Sequence, residues 1–359
     1  IQHQIKALKE CGLDVCTCYY EQTSDGHWKW IADNNILVDF GHSTWGKIRK
    51  RICFKPIRDF IISEGISFIY IRSFHNANPS VWLCRNDTIQ LVSQLKKHDV
   101  KVVMEIPTYP YDQEYITFKM KLDLLVDKCF RHHLAKLLDG IITFSDAKTI
   151  FGGPTIRISN GIDFDSILPK KQINDTTYEL HLIGVAEIHY WHGYDRIIKG
   201  LAEYYLTKPQ YKVYFHIVGE LSGERERQEI LPIIKQNALE PYVILYGNMH
   251  GNDLDQLFSK ADMGIGSLGR HRSGITHIKT LKNREYAARG IPFVYSEIDA
   301  DFDHCNYVLK VPANETPINI HELISFYHSQ SWNINVIRHS VENLSWKMQM
   351  QKVINETYK

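Results

Sequence analysis

At 359 residues the chain is longer than one ordinary core organises, so two domains are expected. With 44% hydrophobic and 23% charged residues it reads as globular, and a net charge of +1 lacks the basic excess that a nucleic-acid partner requires, so none is expected. The seven cysteines include no CxxC pair and read as reduced, mostly buried thiols of a cytoplasmic protein. No apolar run reaches the roughly eighteen residues of a membrane span.

The opening IQHQIKALKECGLDV reads as a helix, whereas an α/β domain usually begins with a strand, so a missing first strand is expected. Strands are then expected at VCTCYY (15–20), ISFIYIR (66–72), VKVVMEI (100–106) and GIITF (140–144). A second set follows at YELHLIGV (178–185), YKVYFHIV (211–218), YVILYG (242–247), DMGIGS (262–267) and PFVYS (292–296). Runs this apolar predict strands buried on both faces, hence parallel sheets covered by helices. Polar and turn residues between 158 and 177 mark the seam between two doubly wound α/β domains. SWKMQMQKVINETY (345–358) reads as a final amphipathic helix.

The stretch TLKNREYAARGIP (280–292) combines an N-cap, Thr280, with a stop at Gly290 and Pro292. Lys279, Lys282 and Arg284 crowd its first turn, where the helix dipole repels cations. Lys282 and Glu285 share a face, roughly 4.5 Å apart along the axis. Bound phosphate or diphosphate at the helix start, with ribose hydroxyls on Glu285, would explain both features. A solvated Lys–Glu pair is the plain alternative.

GVAEIHYWHGYDRIIKGL (184–201) brings Glu187, His189 and His192 to the carboxyl end of a strand, where open α/β sheets bind ligands. A metal on these three is disfavoured, since no matching ligand group lies elsewhere. In the helix that follows, Ile197, Ile198, Leu201 and Tyr205 form a core stripe. HIVGELSGERER (216–227) places Gly219 and Glu220 in a strand-to-helix turn, and a plain turn is the safer reading. EIPTYPYDQE (105–114) carries Glu105, Tyr109 and Tyr111 on a loop that is either functional or a rigid structural turn.

In order, these pieces resemble the retaining family-4 glycosyltransferases of the GT-B fold. ISNGIDFDSI (158–167) is similar to the segment closing the first domain of that family. VAEIHYWHGYDRIIKGL is similar to its diphosphate-binding strand and helix, and YVILYGNMHGNDLDQLFSKADMGIGSL to its nucleobase-binding turn and the elements after it. NREYAARGIPFVY is similar to the helix whose glutamate holds the donor ribose. The resemblance implies two Rossmann-like, doubly wound parallel-sheet domains facing a cleft. An acceptor-side domain would span 1–165 and a nucleotide-sugar-binding domain 166–340, with a helix at 341–359 packing back toward the first. It further implies transfer of a sugar, with retention, from a nucleoside-diphosphate sugar to a glycan or lipid-linked glycan in surface polysaccharide biosynthesis. No metal is expected. Lys282, Arg272 and the helix N-terminus would offset the diphosphate charge with His192 beside them, Glu285 would hold the ribose, and His277 would sit near the transferred sugar or the acceptor. Donor contacts would also come from Gly193, Glu187, Gly219, Glu220, Lys279 and Leu281, with Gly247, Asn248 and Met249 at the base. Glu105, Tyr109 and Tyr111 would lie on the acceptor side.

The departures from the family pattern are specific. Its two glutamates are separated by seven intervening residues, and the position eight before Glu285 is His277. The Lys-Gly that opens its phosphate helix is His192–Gly193 here, and an expected arginine is Val185. These departures keep a rival reading open, that of a non-catalytic GT-B partner that binds a nucleotide-sugar. Finally, GKIRKRICFKPIR (46–58) carries six Lys/Arg and no acid, and FKMKLDLLVDKCFRHHLAKLL (118–138) is also basic. Either both are solvated helix faces, or they dock the protein on anionic lipid at the inner membrane face.

Overall fold

The computed structural model describes every residue except 51, 73–80, 108, 113, 114, 116 and 222, and leaves the side chains of 81–86 and 119 undescribed. The chain divides into two compact units, Ile1–Ile158 with Gln349–Lys359, and Ser159–Met348.

In the first unit, helix α1 (Gln2–Glu10) leads into an antiparallel meander of β1 (Cys18–Gln22), β2 (Trp28–Ala32) and β3 (Asn35–Asp39). This overturns the expectation of a buried parallel strand at 15–20, because every residue of β1 is exposed. The sequence signal lies in Asp33–Asn34, a two-residue connection with φ of 41° and 70°. Positive φ at both positions is the hairpin turn that Asp and Asn tolerate. Helices α2 (Thr44–Arg49) and α3 (Phe54–Ser63) precede the main sheet. That sheet runs in the order β4 (Phe68–Arg72), β5 (Lys101–Ile106), β6 (Gly140–Thr143), β8 (Gly153–Arg157) and β7 (Thr149–Ile150). All pairs are parallel except the β7–β8 hairpin. Helices α4 (Val81–Lys96) and α5 (Phe118–Leu137) complete the unit, with Val92, Leu95, Leu134 and Leu138 in its core.

The second unit is one six-stranded parallel sheet. Its strands are β9 (Glu179–Val185), β10 (Lys212–Val218), β11 (Val243–Leu245), β12 (Met263–Ile265), β13 (Phe293–Tyr295) and β14 (Val308–Lys310). Their spatial order is β11-β10-β9-β12-β13-β14. Numbered from β9 as one, this is the Rossmann order 3-2-1-4-5-6, whose switch point lies between the first and fourth strands. Helices α6 (Tyr194–Leu206), α7 (Glu224–Gln236), α8 (Gly251–Lys260) and α9 (Leu281–Arg289) connect the strands. The α6 stripe behaves as its spacing predicts: Ile197, Ile198 and Leu201 are fully buried and Tyr205 lies at the core edge. Helices α10 (Ile320–His328), α11 (Ile334–His339) and α12 (Trp346–Thr357) close the chain.

Candidate functional site

Loops at the carboxyl ends of β9 and β12 flank the switch point, and backbone bonds lock them together. Leu268 N–H donates to the His192 carbonyl at 2.9 Å. Gly193, with φ of 67°, starts α6 against this second loop, and a Cβ there would lie 2.7 Å from both the Gly269 nitrogen and the Leu268 carbonyl carbon. Glycine is therefore required by contact as well as by dihedral.

Arg272 braces the same junction. All five of its N–H groups are engaged: with Asp195 at 2.8 and 3.0 Å, with the Tyr190 carbonyl at 2.8 Å, and with Glu315 on the remaining donors. The role of diphosphate cation expected for Arg272 is thus corrected, since no donor is left to offer. Arg284 is similarly committed. It donates to the Ser159 hydroxyl (2.7 Å), the Thr280 carbonyl (2.9 Å) and both Asp299 oxygens (2.8 and 3.1 Å), and it reaches Asp301. Its charge in the first turn of α9 is neutralised from β13's loop, so it does not conflict with the helix dipole.

What remains at the start of α9 is an open helix end. Thr280 is the N-cap residue, but its side chain makes no capping bond and its buried Oγ1 has no partner. Lys282 Nζ is buried without a hydrogen-bond partner, 5.5 Å from the centroid of the Tyr194 ring, whose own hydroxyl is also unpartnered. Glu297, just past β13, is 2% exposed with both carboxyl oxygens unpartnered. Ser267 Oγ and Asn283 Oδ1 join this set. Buried polar groups are ordinarily satisfied, so such a concentration at a sheet's switch point makes this the candidate site.

The electrostatics distinguish three groups. Burial drives the Lys282 ammonium down from its ordinary value, opposed by the Glu297 charge and assisted by Arg270. Burial drives the Glu297 carboxyl up, opposed first by its own backbone N–H and then by Lys282 and Arg270. His192 is held far below the usual imidazole range by burial first and then by Lys282, Arg270 and His189. Its Nδ1 accepts the His189 N–H at 3.0 Å, which leaves the proton on Nε2. His192 therefore stands at the start of α6 as a neutral hydrogen-bond donor.

The other expected residues separate into groups. Glu285 Oε1 accepts from Arg289 at 2.9 and 3.0 Å, and the side chain is 27% exposed. His277 is exposed on a strap paired to the segment after β13, through Ile278 N–H to the Ile298 carbonyl (3.0 Å) and Ile298 N–H to the Thr276 carbonyl (2.7 Å). Gly219 and Gly247 form a bridge between the loops after β10 and β11, with Gly219 N–H donating to Gly247 at 2.8 Å. Gly219 has φ of 123°, and a Cβ there would fall 1.7 Å from the Ala186 carbonyl oxygen. Glu220 and Asn248 are exposed beside that bridge, while Met249 packs on the core. The Lys279 carbonyl accepts from Asn160 at 2.6 Å, and Leu281 is exposed. Glu187 is exposed, 3.9 Å from His189 Nε2. Among the described residues, no group of three His, Cys, Asp or Glu is placed to hold a metal ion.

The acceptor-side expectations are corrected for two residues. Glu105 is 1% exposed and accepts from Gln4 (2.7 Å) and Tyr70 (2.5 Å) inside the first unit. Tyr111 is a core residue whose hydroxyl donates to Asp127 at 2.6 Å. Tyr109 packs edge-on to Phe151 and is partly exposed. Sequence reading missed Glu297, Arg270 and Asn283; the available signal was position alone, since Glu297 directly follows the predicted strand PFVYS.

The two parallel-sheet units, the second with unpartnered polar groups at its switch point, define a two-unit α/β architecture. Solved structures narrow it to the GT-B fold. Sucrose-phosphate synthase from Thermosynechococcus elongatus aligns with a TM-score of 0.57 at 15% identity, covering 84% of this chain and 75% of that one. HepE from Anabaena, in complex with UDP and glucose, aligns at 0.54 and 14%, covering 85% and 81%. A glycosyltransferase from Rickettsia africae aligns at 0.54 and 14%, covering 86% and 80%. No protein-family model and no curated protein matches the sequence.

Proposed function

We propose that the chain is a retaining GT-B glycosyltransferase that moves a sugar from a nucleoside-diphosphate sugar to a glycan acceptor. The observation that carries this reading is the open N-terminus of α9, with the unpartnered Lys282 ammonium buried behind it. Backbone N–H groups and a desolvated cation at one point are what a departing diphosphate needs in the absence of a metal. His192 contributes a neutral Nε2–H and Glu285 accepts from the ribose, its Arg289 contact fixing the carboxylate. The bridge at Gly219 and Gly247, with Asn248 and Met249, meets the base, and His277 lies toward the transferred sugar. Solved neighbours that hold UDP support a nucleotide donor.

The test is Glu285→Gln. Losing a charged hydrogen-bond acceptor costs about 1.5–3 kcal/mol, so turnover of a UDP-, GDP- or ADP-sugar should fall about 10- to 150-fold with the melting temperature unchanged. Equal turnover in the variant removes Glu285 from the donor site. A wild-type protein that binds the nucleotide without turnover favours the non-catalytic reading.

The proposal places the acceptor on a lipid, in surface polysaccharide assembly at the cytoplasmic membrane face. On α5, Phe118, Leu122 and Leu125 are 79%, 48% and 59% exposed, and their spacing makes one apolar stripe. Trp45 and Ile52 are exposed beside Lys47 and Arg49, while Lys50 packs over Trp28. No described helix is long and apolar enough to cross a membrane, and the contact proposed is peripheral. Co-sedimentation with anionic vesicles that disappears in Phe118→Ser/Leu125→Ser supports this; absence of binding at low salt ends it.

A further inference from the structure

The main chain on either side of Glu297 is held in place. The Ser296 N–H donates to the Ser267 carbonyl at 3.0 Å on one side, and Ile298 is held by both bonds to the 276–278 strap on the other. The carboxyl lies in the interior, with no hydrogen bond from any other residue, within electrostatic reach of an ammonium that also has none. A fixed acid beside a proposed diphosphate site poses a charge problem: ionised, it repels the ligand it helps to enclose.

We propose that Lys282 and Glu297 form a proton-accepting pair, and that docking of a nucleoside diphosphate is coupled to uptake of about one proton by that pair. The inference rests on the donor-site reading above and deepens it. A low-dielectric pocket without ligand favours the electrically neutral pair, which carries one proton between its two groups. A diphosphate at the start of α9 favours the ammonium together with the neutral carboxylic acid, which carries two. The second proton comes from solvent and goes to a Glu297 oxygen, turning a repelling carboxylate into an O–H donor while Lys282 Nζ stays fully protonated. No covalent bond forms or breaks. The shifts of both groups toward neutrality on burial agree with this. The surrounding charges and titratable groups are Arg270 and His192 on the flanking loops, His189 beyond, and Asp299, whose charge is held by Arg284.

Isothermal titration of the full chain with UDP and GDP, at a pH of about 8 in buffers of different ionisation enthalpy, measures the protons taken up. At that pH the free ligand's terminal phosphate, which titrates near pH 6, is deprotonated. The slope of enthalpy against buffer ionisation should correspond to about one proton for the wild type. It should fall toward zero in Lys282→Met/Glu297→Gln, which keeps His192 and Arg270, removes both titrating groups and leaves the pair's net charge at zero. Glu297→Asp should retain uptake. Binding without uptake in the wild type, or equal uptake in the double variant, overturns the pair while leaving the donor site standing. If no nucleotide binds the wild type, the donor-site reading fails and the pair with it. A double variant that does not fold is replaced by the pH profile of wild-type affinity alone. Uptake requires weakening by up to about tenfold per unit above neutrality, and a flat profile refutes it.

Discussion

Arg284→Met should destabilise the second unit more than any surface change. Arg284 is 1% exposed, uses all five N–H groups, and lies over the Phe302 ring at 5.2 Å. Methionine fills most of the space but leaves the fully buried Asp299 and the 20% exposed Asp301 without their counter-charge. Removing one partner of a buried ion pair costs about 3–5 kcal/mol. In a unit of this size each kcal/mol moves the midpoint about 2–4 °C, so a fall of about 6–20 °C is expected. The pH dependence has a definite sign. Burial pushes the Asp299 carboxyl up and Arg284 restrains it. In the variant the carboxyl binds its proton more tightly folded than unfolded, so the deficit shrinks as pH falls and widens as pH rises. Calorimetry at two pH values measures this, with hydrogen exchange of the 281–303 segment assigning the transition. Arg284→Met/Asp299→Asn should recover part of the loss. A single variant within about 2 °C of wild type, or a double variant no better than the single, refutes the reasoning.

Two further outcomes follow from buried charge. His216 lies in a chain from His181 (2.9 Å) to the Tyr246 hydroxyl (2.9 Å), and burial first, then His181 and Lys260, lower it from 6.5 to about 4. The unfolded chain gains a proton that the folded chain refuses, so stability falls as pH drops from 6.5 toward 4 and His216→Gln should flatten that slope in pH-dependent melts. Around Arg272, urea denaturation should separate its two acids: Asp195→Asn, at a 5% exposed carboxyl, about 3–5 kcal/mol, against about 0–1 kcal/mol for Glu315→Gln at 60% exposure.

How much of this was legible depends on whether periodicity or long-range pairing carries the information. The strands of the second unit were readable because each is an apolar run buried on both faces, and α9 because Thr280 and Gly290 bracket it. The sheet order that sets the switch point is not a local property, and neither are the partners of Arg272 and Arg284. Asp195 and Glu315 lie 77 and 43 residues from Arg272, so sequence shows the cation without its acids. β1 was misread because hydrophobicity alone cannot tell a buried parallel strand from an exposed hairpin strand, although Asp33–Asn34 carried the turn. Glu297 was invisible as a site residue because one acid after a strand has no pattern. His277 illustrates the same limit: the acid missing at that position in sequence has a buried acid, Glu297, on the paired segment beside it.

The redistribution of charge also changes the kind of anion site that the proposed function requires. Of the two basic side chains expected to offset the diphosphate, Arg272 is spent on Asp195 and Glu315, and His192 beside them is neutral. Arg284, which crowded the same turn, is spent on Asp299 and Asp301, leaving Lys282 with its nitrogen buried and its charge opposed by Glu297. Such a site attracts its ligand through oriented N–H groups and a desolvated ammonium rather than through a surface field. Exposed charges are screened within a Debye length of about 10 Å at 0.1 M salt, whereas buried ones are screened far less. The affinity for UDP or GDP should therefore change less than about threefold between about 0.05 and 0.5 M sodium chloride, a range over which a surface basic patch loses most of its attraction. A steep loss of affinity with salt in equilibrium titration would place the phosphates on more accessible cations such as the half-buried Lys279, and would remove Lys282 from the centre of the site.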